Sequence, residues 1–391
     1  MLHLFLLVGL ELATVLGIPP RNPEIEVTLG TETKLVEGGT FPYMFRSREG
    51  TLVLQVSMPG AGDPTLKTSG VNGPPRNLRS EDRGKTWHEW KPAKNQGIGP
   101  GFEGSAVQVR DGAILIFNYI PESRGNGHFV VKRWRSTDQW KTLTGPEDSH
   151  FTLPQAMDTM LGDTGEPMAA ILFHRSVIEL PNGDLLASVY GRFKGDDAAS
   201  EYLPQMKKFR SLLLRSKDQG RNWTYVSTIA VDPKVGQEGF DEPVLLRLSQ
   251  GKHKGRLICL MRTGRKDPLY QVHSDDEGTT WTGLRALNLL GVDPDIIEMS
   301  NGVLVCSFGH KPQHSTQGGL KDDGNFLAFS LDQGQTWTNV TRLSSVPTCA
   351  YTTVREIAPG ELYVVYDERD RKDYRSPNRR VFGRNVGVKL K

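Results

Sequence analysis

The chain has 391 residues, 37% of them hydrophobic and 8% aromatic, with 42 Gly, 24 Pro and a formal net charge of +3. That is enough apolar sequence for a sizeable core, and the Gly and Pro content favours turns over long helices. A charge so near zero excludes nucleic acid as the main partner, and the three cysteines are too few for a disulfide framework and have no zinc-ligand spacing.

Residues 2–16 are mostly apolar and lead to Val15-Leu16-Gly17, a small-residue cleavage pattern. Residues 1–17 therefore read as a secretory signal peptide, and the expected location is secreted or extracytoplasmic. No later run is long and apolar enough to span a bilayer. Glu24 to Thr28 alternates as a strand does.

From there one pattern recurs. Two short apolar segments flank a glycine, at Gly50, Gly112, Gly183, Gly255, Gly302 and Gly360. Each reads as strand, tight turn, strand. A third strand runs into a phrase spelled Ser-x-Asp-x-Gly-x-(Thr/Asn)-Trp, found at Ser80, Ser216, Ser274 and Ser330. Asp in this phrase can accept from backbone N–H groups just ahead, and Gly can take φ > 0, so it builds a turn beside which Trp is buried. Ser136-Thr-Asp138-Gln-Trp140 is a decayed copy with Trp in the glycine place, and the Gly360 unit has no copy. A fourth strand leaves each turn. Cys259 and Cys306 sit in apolar strand runs, and Cys349 follows them.

Four strands per unit make a propeller blade. The expectation is an all-β chain: one six-bladed β-propeller over residues 24–391 with four-stranded antiparallel blades. The alternating end Val386-Gly-Val388-Lys-Leu390 would close the ring against the strand at Glu24. From Arg369 onward nine Lys or Arg face two Asp, a solvated loop or a basic rim near an anionic ligand.

Aligning the units on their glycines exposes a second regularity. Nine residues back, where each first strand begins, stand Phe41, Glu103, His174, Asp293 and Tyr351. The Gly255 unit has a longer turn, and matching Glu242-Pro243 to Asp293-Pro294 puts Glu242 in the same place. A strand start in a packed sheet has no structural need for acids, a His and a Tyr. On first strands around an axis they converge on one pocket and supply nucleophile, acid and base together. The aspartates of the turns (Asp82, Asp218, Asp276, Asp332) fall on the rim and are expected to have no part in catalysis.

Two longer stretches carry a family resemblance. Tyr351-Thr-Thr-Val-Arg-Glu-Ile-Ala-Pro-Gly360 through Tyr366-Asp367, and Phe240-Asp-Glu242-Pro followed by Leu257-Ile-Cys-Leu-Met-Arg262, resemble segments of the sialidase superfamily of propellers with these Asp-box turns. The resemblance covers the chain from about Glu24 onward. It implies Tyr351 as nucleophile, Glu242 as its base and Arg262 as a clamp on a substrate carboxylate. A neutral Tyr suits a substrate whose carboxylate would repel an anionic nucleophile. It also implies Asp63 as acid/base, the one aspartate between the opening strand and the first turn. The family's Arg-Ile-Pro reads Thr40-Phe41-Pro42 here, with Arg46 further along. The third arginine's place, Gly319 to Asn325, has none, leaving His310, Lys311, Lys321, Arg175, Arg192 or the basic C-terminal loop as stand-ins.

Three readings follow. One is an exo-acting retaining sialidase-like hydrolase taking a terminal acidic sugar from a glycan. Another is an exo-glycosidase for a neutral sugar, of the exo-arabinanase kind, with Glu242 as nucleophile and Glu103 or Asp293 as acid. The third is a non-catalytic glycan-binding propeller. A monomer with no metal or organic cofactor is expected under all three.

Overall fold

The computed structural model describes residues 20–58, 73–90, 105–162, 165, 167–265, 267–310, 324–344, 351–368 and 379–391. The expected signal peptide lies outside them. No helix is long and apolar enough to cross a membrane among the described residues.

The strands come in order β1 (Ile25–Leu29), β2 (Thr33–Glu37), β3 (Thr40–Arg46), β4 (Leu52–Met58), β5 (Gly73–Ser80) and β6 (His88–Trp90). Next are β7 (Ser105–Gln108), β8 (Ile114–Phe117), β9 (Glu122–Ser123), β10 (His128–Ser136) and β11 (Thr144–Thr152). They are followed by β12 (Ile171–Glu179), β13 (Leu185–Gly191), β14 (Arg210–Ser216), β15 (Asn222–Ala230), β16 (Asp241–Arg247), β17 (Leu257–Arg262), β18 (Pro268–Ser274) and β19 (Thr282–Leu290). The last are β20 (Val292–Glu298), β21 (Leu304–His310), β22 (Gly324–Ser330), β23 (Thr338–Arg342), β24 (Thr352–Ala358), β25 (Glu361–Glu368) and β26 (Arg380–Leu390).

Sequence-adjacent strands pair antiparallel as meanders: β3 to β6, β16 to β19 and β20 to β23 each form a four-stranded sheet. The glycines at the hairpin turns all have φ between +76° and +97°, where a Cβ would be strained. The final meander, β24-β25-β26, is completed by β1, with Ile25 opposite Leu390 and Leu29 opposite Val386. The chain's two ends are thereby joined as the alternating termini predict.

One grouping differs from expectation. The meanders β7-β8-β10-β11 and β12 to β15 share a nine-stranded sheet, with β9 as its extra strand. Their outer strands β11 and β15 pair in parallel over His150–Asn222, Phe151–Trp223 and Thr152–Thr224.

Apolar clusters join the meanders face to face. Tyr43, Phe45, Ala106 and Trp140 bind β3–β6 to β7–β11, and Phe117, Phe173 and Trp223 bind β7–β11 to β12–β15. Phe240 with Leu213, then Leu260 with Phe308, then Phe329 with Val364 continue the series. Val56 with Val365 returns it to β3–β6. The clusters therefore run in a closed circuit, with first strands β3, β7, β12, β16, β20 and β24 in that order.

The Asp turns fasten this circuit from the rim. In the turn at Ser274 the hydroxyl donates to Asp276 Oδ1 (2.7 Å) and accepts from Gly278 N–H (2.8 Å), and Asp276 Oδ1 accepts from Thr280 N–H (2.9 Å). The indole N–H then reaches back to the preceding meander: Trp281 to Ser227 Oγ, Trp223 to Ser149 Oγ, Trp337 to Gln271 Oε1 and Trp87 to Tyr363 OH. In three of these the same partner donates to the carbonyl of the turn's glycine: Ser227 to Gly278, Ser149 to Gly220 and Gln271 to Gly334. The decayed copy keeps the turn. Ser136 Oγ donates to Asp138 Oδ1 (2.8 Å) and Thr142 N–H to the same oxygen (2.9 Å), while Trp140 takes φ +67° and buries its ring beside Phe45.

Replacing Ser227 with Ala removes one donor and one acceptor at a half-buried junction. The expected loss is about 1–3 kcal/mol, read by urea unfolding. The turns also give acid sensitivity. Hydrogen bonds from Thr86 to Asp82, and from Thr280 to Asp276, hold both carboxyls at about 2. A folded-state value below the unfolded one of roughly 3.9 stabilises above that pH and is lost as pH falls towards 2. A series of melting temperatures from pH 5 to 2 should decline, and less steeply for Asp276→Asn.

Candidate active site

Four of the first strands, β3, β12, β16 and β20, do not begin as plain strands. Register slips by a bulge between Thr40 and Tyr43, Phe173 and Val177, Asp241 and Val244, and Val292 and Asp295. At those bulges Phe41, Arg175, Glu242 and Asp293 have φ of +53°, +44°, +42° and +53°. Such values are costly for non-glycine residues and mark strain held by the surroundings. A bulge leaves a residue outside the ladder and re-aims its side chain. Pro42, Pro243 and Pro294 follow three of the four, and a residue without an N–H suits that unpaired place.

Glu242 stands at the centre. Its Oε1 accepts from Arg262 Nη1 at 2.7 Å and from Tyr351 OH at 3.3 Å, and its Oε2 accepts from the Asp293 backbone N–H at 2.8 Å. The Tyr351 ring lies edge-on to Phe41 at 4.2 Å, and Val292 joins them in an apolar wall. Asp367 fixes this corner: it accepts from Thr40 Oγ1, from Phe41 N–H at 3.0 Å and from Tyr351 N–H at 3.4 Å.

A second layer lies behind. Arg262 Nε pairs with Glu238 Oε1 at 2.5 Å. Arg175 Nη2 pairs with Asp293 Oδ2 at 2.7 Å, and Asp293 Oδ2 also accepts from Thr352 N–H at 3.2 Å. Arg355 pairs with Asp295 at 2.6 Å. His174 Nδ1 lies 3.2 Å from the Pro243 carbonyl, which only accepts, so this nitrogen carries the proton.

The electrostatics follow from burial. Burial, then the adjacent Arg175, draws His174 down to about 3, so it is neutral at pH 7. Burial, then the charge of Glu238, pushes the Asp241 carboxyl well above the usual range. Burial works against the Arg262 charge, but Glu238, Glu242 and Asp241 outweigh it and hold the guanidinium firmly protonated. Burial also opposes the charge of Asp295, and Arg355 and Arg175 overcome it and keep its carboxyl low.

The structure thus brings Tyr351, Glu242 and Arg262 together, and it places the other expected residues as follows. His174 and Asp293 are completely buried, and Arg175 and Glu242 are each 4% exposed. Arg175, one residue on from the aligned His174, takes the positive φ, because this strand has one more bulged residue than the others. Arg46 sits opposite Leu52 at the turn end of β3, roughly 16 Å of strand from Phe41. Arg192 is engaged by Asp158 Oδ2 at 2.8 Å and by the Asp196 carbonyl at 3.2 Å. His310 is buried at the end of β21, opposite Gly324. Asp63, Glu103, Lys311, Lys321 and most of the basic C-terminal loop lie outside the described residues. Sequence reasoning gave no role to Glu238, Asp241 or Asp367. Glu238 and Asp241 stand just before Glu242, and Asp367 closes the Tyr351 segment, so their nearness in sequence to the two central residues was the available signal.

The model of the BNR repeat-like domain matches residues 103–364, well over half of the chain. The chain belongs to the BNR repeat-like domain family. An anhydrosialidase of Macrobdella decora is 28% identical to it over 145 residues, which are 35% of this chain and 18% of that protein. The chain therefore spans under a fifth of that relative's length. Among solved structures, a Hadza microbial sialidase matches with a TM-score of 0.59 at 15% identity, over 90% of this chain and 65% of that one. An alpha-L-arabinanase of Penicillium chrysogenum, complexed with arabinobiose, matches with 0.57 at 15% identity, over 95% and 99%. At these identities the two structures establish likeness of fold.

Replacing Arg262 with Met leaves Glu238 and Glu242 buried without their shared cation. The expected cost is about 3–5 kcal/mol in urea unfolding; an unchanged midpoint would mean that those carboxylates take up protons at no cost.

Proposed function

We propose that this BNR protein is an exo-acting, retaining glycoside hydrolase built as one six-bladed propeller over residues 24–391. The closed circuit of inter-sheet clusters supports the blade count. The observation that carries the activity is the 3.3 Å contact of Tyr351 OH with Glu242 Oε1. In this reading Tyr351 oxygen attacks the anomeric carbon as Glu242 takes its proton, and the glycosidic bond breaks towards a protonated leaving group. Water then attacks the anomeric carbon of the glycosyl-tyrosine and gives its proton to the group that protonated the leaving group. The bond from that carbon to the Tyr351 oxygen breaks as Glu242 returns its proton to Tyr351. Two displacements restore the original configuration. Arg262 touches Glu242 Oε1 and so holds the carboxylate in the orientation that receives the phenol proton. Asp63 is the proposed proton donor, on the family resemblance. The substrate is a terminal acidic sugar of a glycan, in line with a Tyr nucleophile.

One observation favours a second substrate. Arg262 and Arg175 are already paired with Glu242, Glu238 and Asp293, which lowers their pull on a further carboxylate. A neutral sugar needs no such pull.

An aryl sialoside and an aryl arabinofuranoside, assayed side by side, separate the two substrates. Tyr351→Phe should abolish turnover of whichever is cleaved, and Glu242→Gln should cost roughly 10²–10⁴-fold in kcat. Mass spectrometry of the trapped adduct should find the sugar on Tyr351. A sugar found on Glu242 would overturn the assignment, and binding without turnover across the panel would leave a glycan-binding propeller.

A further inference from the structure

We propose that Arg175 and Asp293 are positioning residues: together they form a brace across the propeller axis that holds the Tyr351–Glu242 pair at reacting distance. The kinetic side of this inference rests on the glycosidase reading above.

In the circuit of first strands, β12 and β24 lie diametrically opposite, three steps apart either way round. Arg175 comes from β12, yet its Nη1 donates to the Thr352 carbonyl on β24 at 2.5 Å. Its Nη2 pairs with Asp293 Oδ2 at 2.7 Å and lies 3.4 Å from the Pro42 carbonyl of β3. One planar fork therefore contacts three strands, a geometry suited to guanidinium and not to an ammonium point charge. Asp293 works in two directions. Its carboxylate accepts the Thr352 N–H at 3.2 Å, next to the nucleophile in sequence, and its own N–H donates to Glu242 Oε2 at 2.8 Å.

The Thr352 residue is thus gripped at both its N–H and its carbonyl, and Glu242 is tied to the same aspartate. Both brace residues are buried, and both hold positive φ at +44° and +53°. Strained backbone of this kind persists only where surrounding contacts over-determine it. A buried ion pair is a poor source of net stability, and here its geometry fixes two reacting groups from strands two apart in the circuit. A displacement of about 1 Å at such a pair costs up to roughly 100-fold in rate.

The test uses the full chain with Arg175→Lys and the isosteric Asp293→Asn, and two readouts. Amide hydrogen exchange of the segment 351–358 should speed up in both variants, with exchange in β8 unchanged. On the substrate that the wild type cleaves, kcat should fall about 10- to 100-fold while KM and the affinity for a competitive sugar inhibitor stay within about twofold. A rise in KM with kcat intact would overturn the proposal in favour of direct substrate binding, as would unaltered exchange at 351–358. If Arg175→Lys fails to fold, Asp293→Asn carries the same readouts. If the wild type cleaves no glycoside, the hydrolase reading fails alone and the exchange measurement still decides the brace.

Discussion

The constraint on which this structure turns is the burial of Glu242. A carboxylate that is 4% exposed must find partners for both oxygens or give up its charge. Its partners come from three separate sheets: Arg262 from its own, the Asp293 amide from the next, and Tyr351 from the one after. No pair of neighbouring strands supplies them. The site exists only when the sheets stand round a common axis, with bulges that turn the strand starts inward.

That requirement explains the division of labour between rim and axis. At the rim, four Asp turns each fasten their meander to the one before through an indole hydrogen bond. The bonds inside each turn are short-range and tolerant: Trp140 replaces glycine and the turn still forms. At the axis the contacts are long-range and charged, and each position differs from the next. Phe41 is the instructive case. The one apolar residue among the aligned strand starts packs against the Tyr351 ring and leaves Asp367 to fix the backbone of both.

The electrostatics of the cluster bear on its chemistry. Each guanidinium of the cluster has a carboxylate within 2.7 Å: buried Arg262 has Glu238 and Glu242, buried Arg175 has Asp293, and half-buried Arg355 has Asp295. Paired charges in a buried site are fixed dipoles that need no reorganisation as charge moves, the arrangement that favours transfer of a proton from a phenol to a carboxylate. The same pairing tempers attraction for a further carboxylate.

The sequence by itself determined the repeat. Turn glycines, Asp turns and alternating termini are local signals, set by φ/ψ limits and hydrogen bonds within a few residues, and each appears where the spelling put it. It also determined which strand starts to compare, and so led to Tyr351 and Glu242. Only the tertiary structure decided what the described residues among them touch. Whether Arg175 lines a pocket or braces it, and whether Asp293 meets substrate or backbone, depends on contacts across a ring, between residues up to 177 positions apart. Such contacts leave no periodic trace in a single chain. Bulges that rotate a side chain by one place, as at His174 and Arg175, are likewise invisible until the strands are paired.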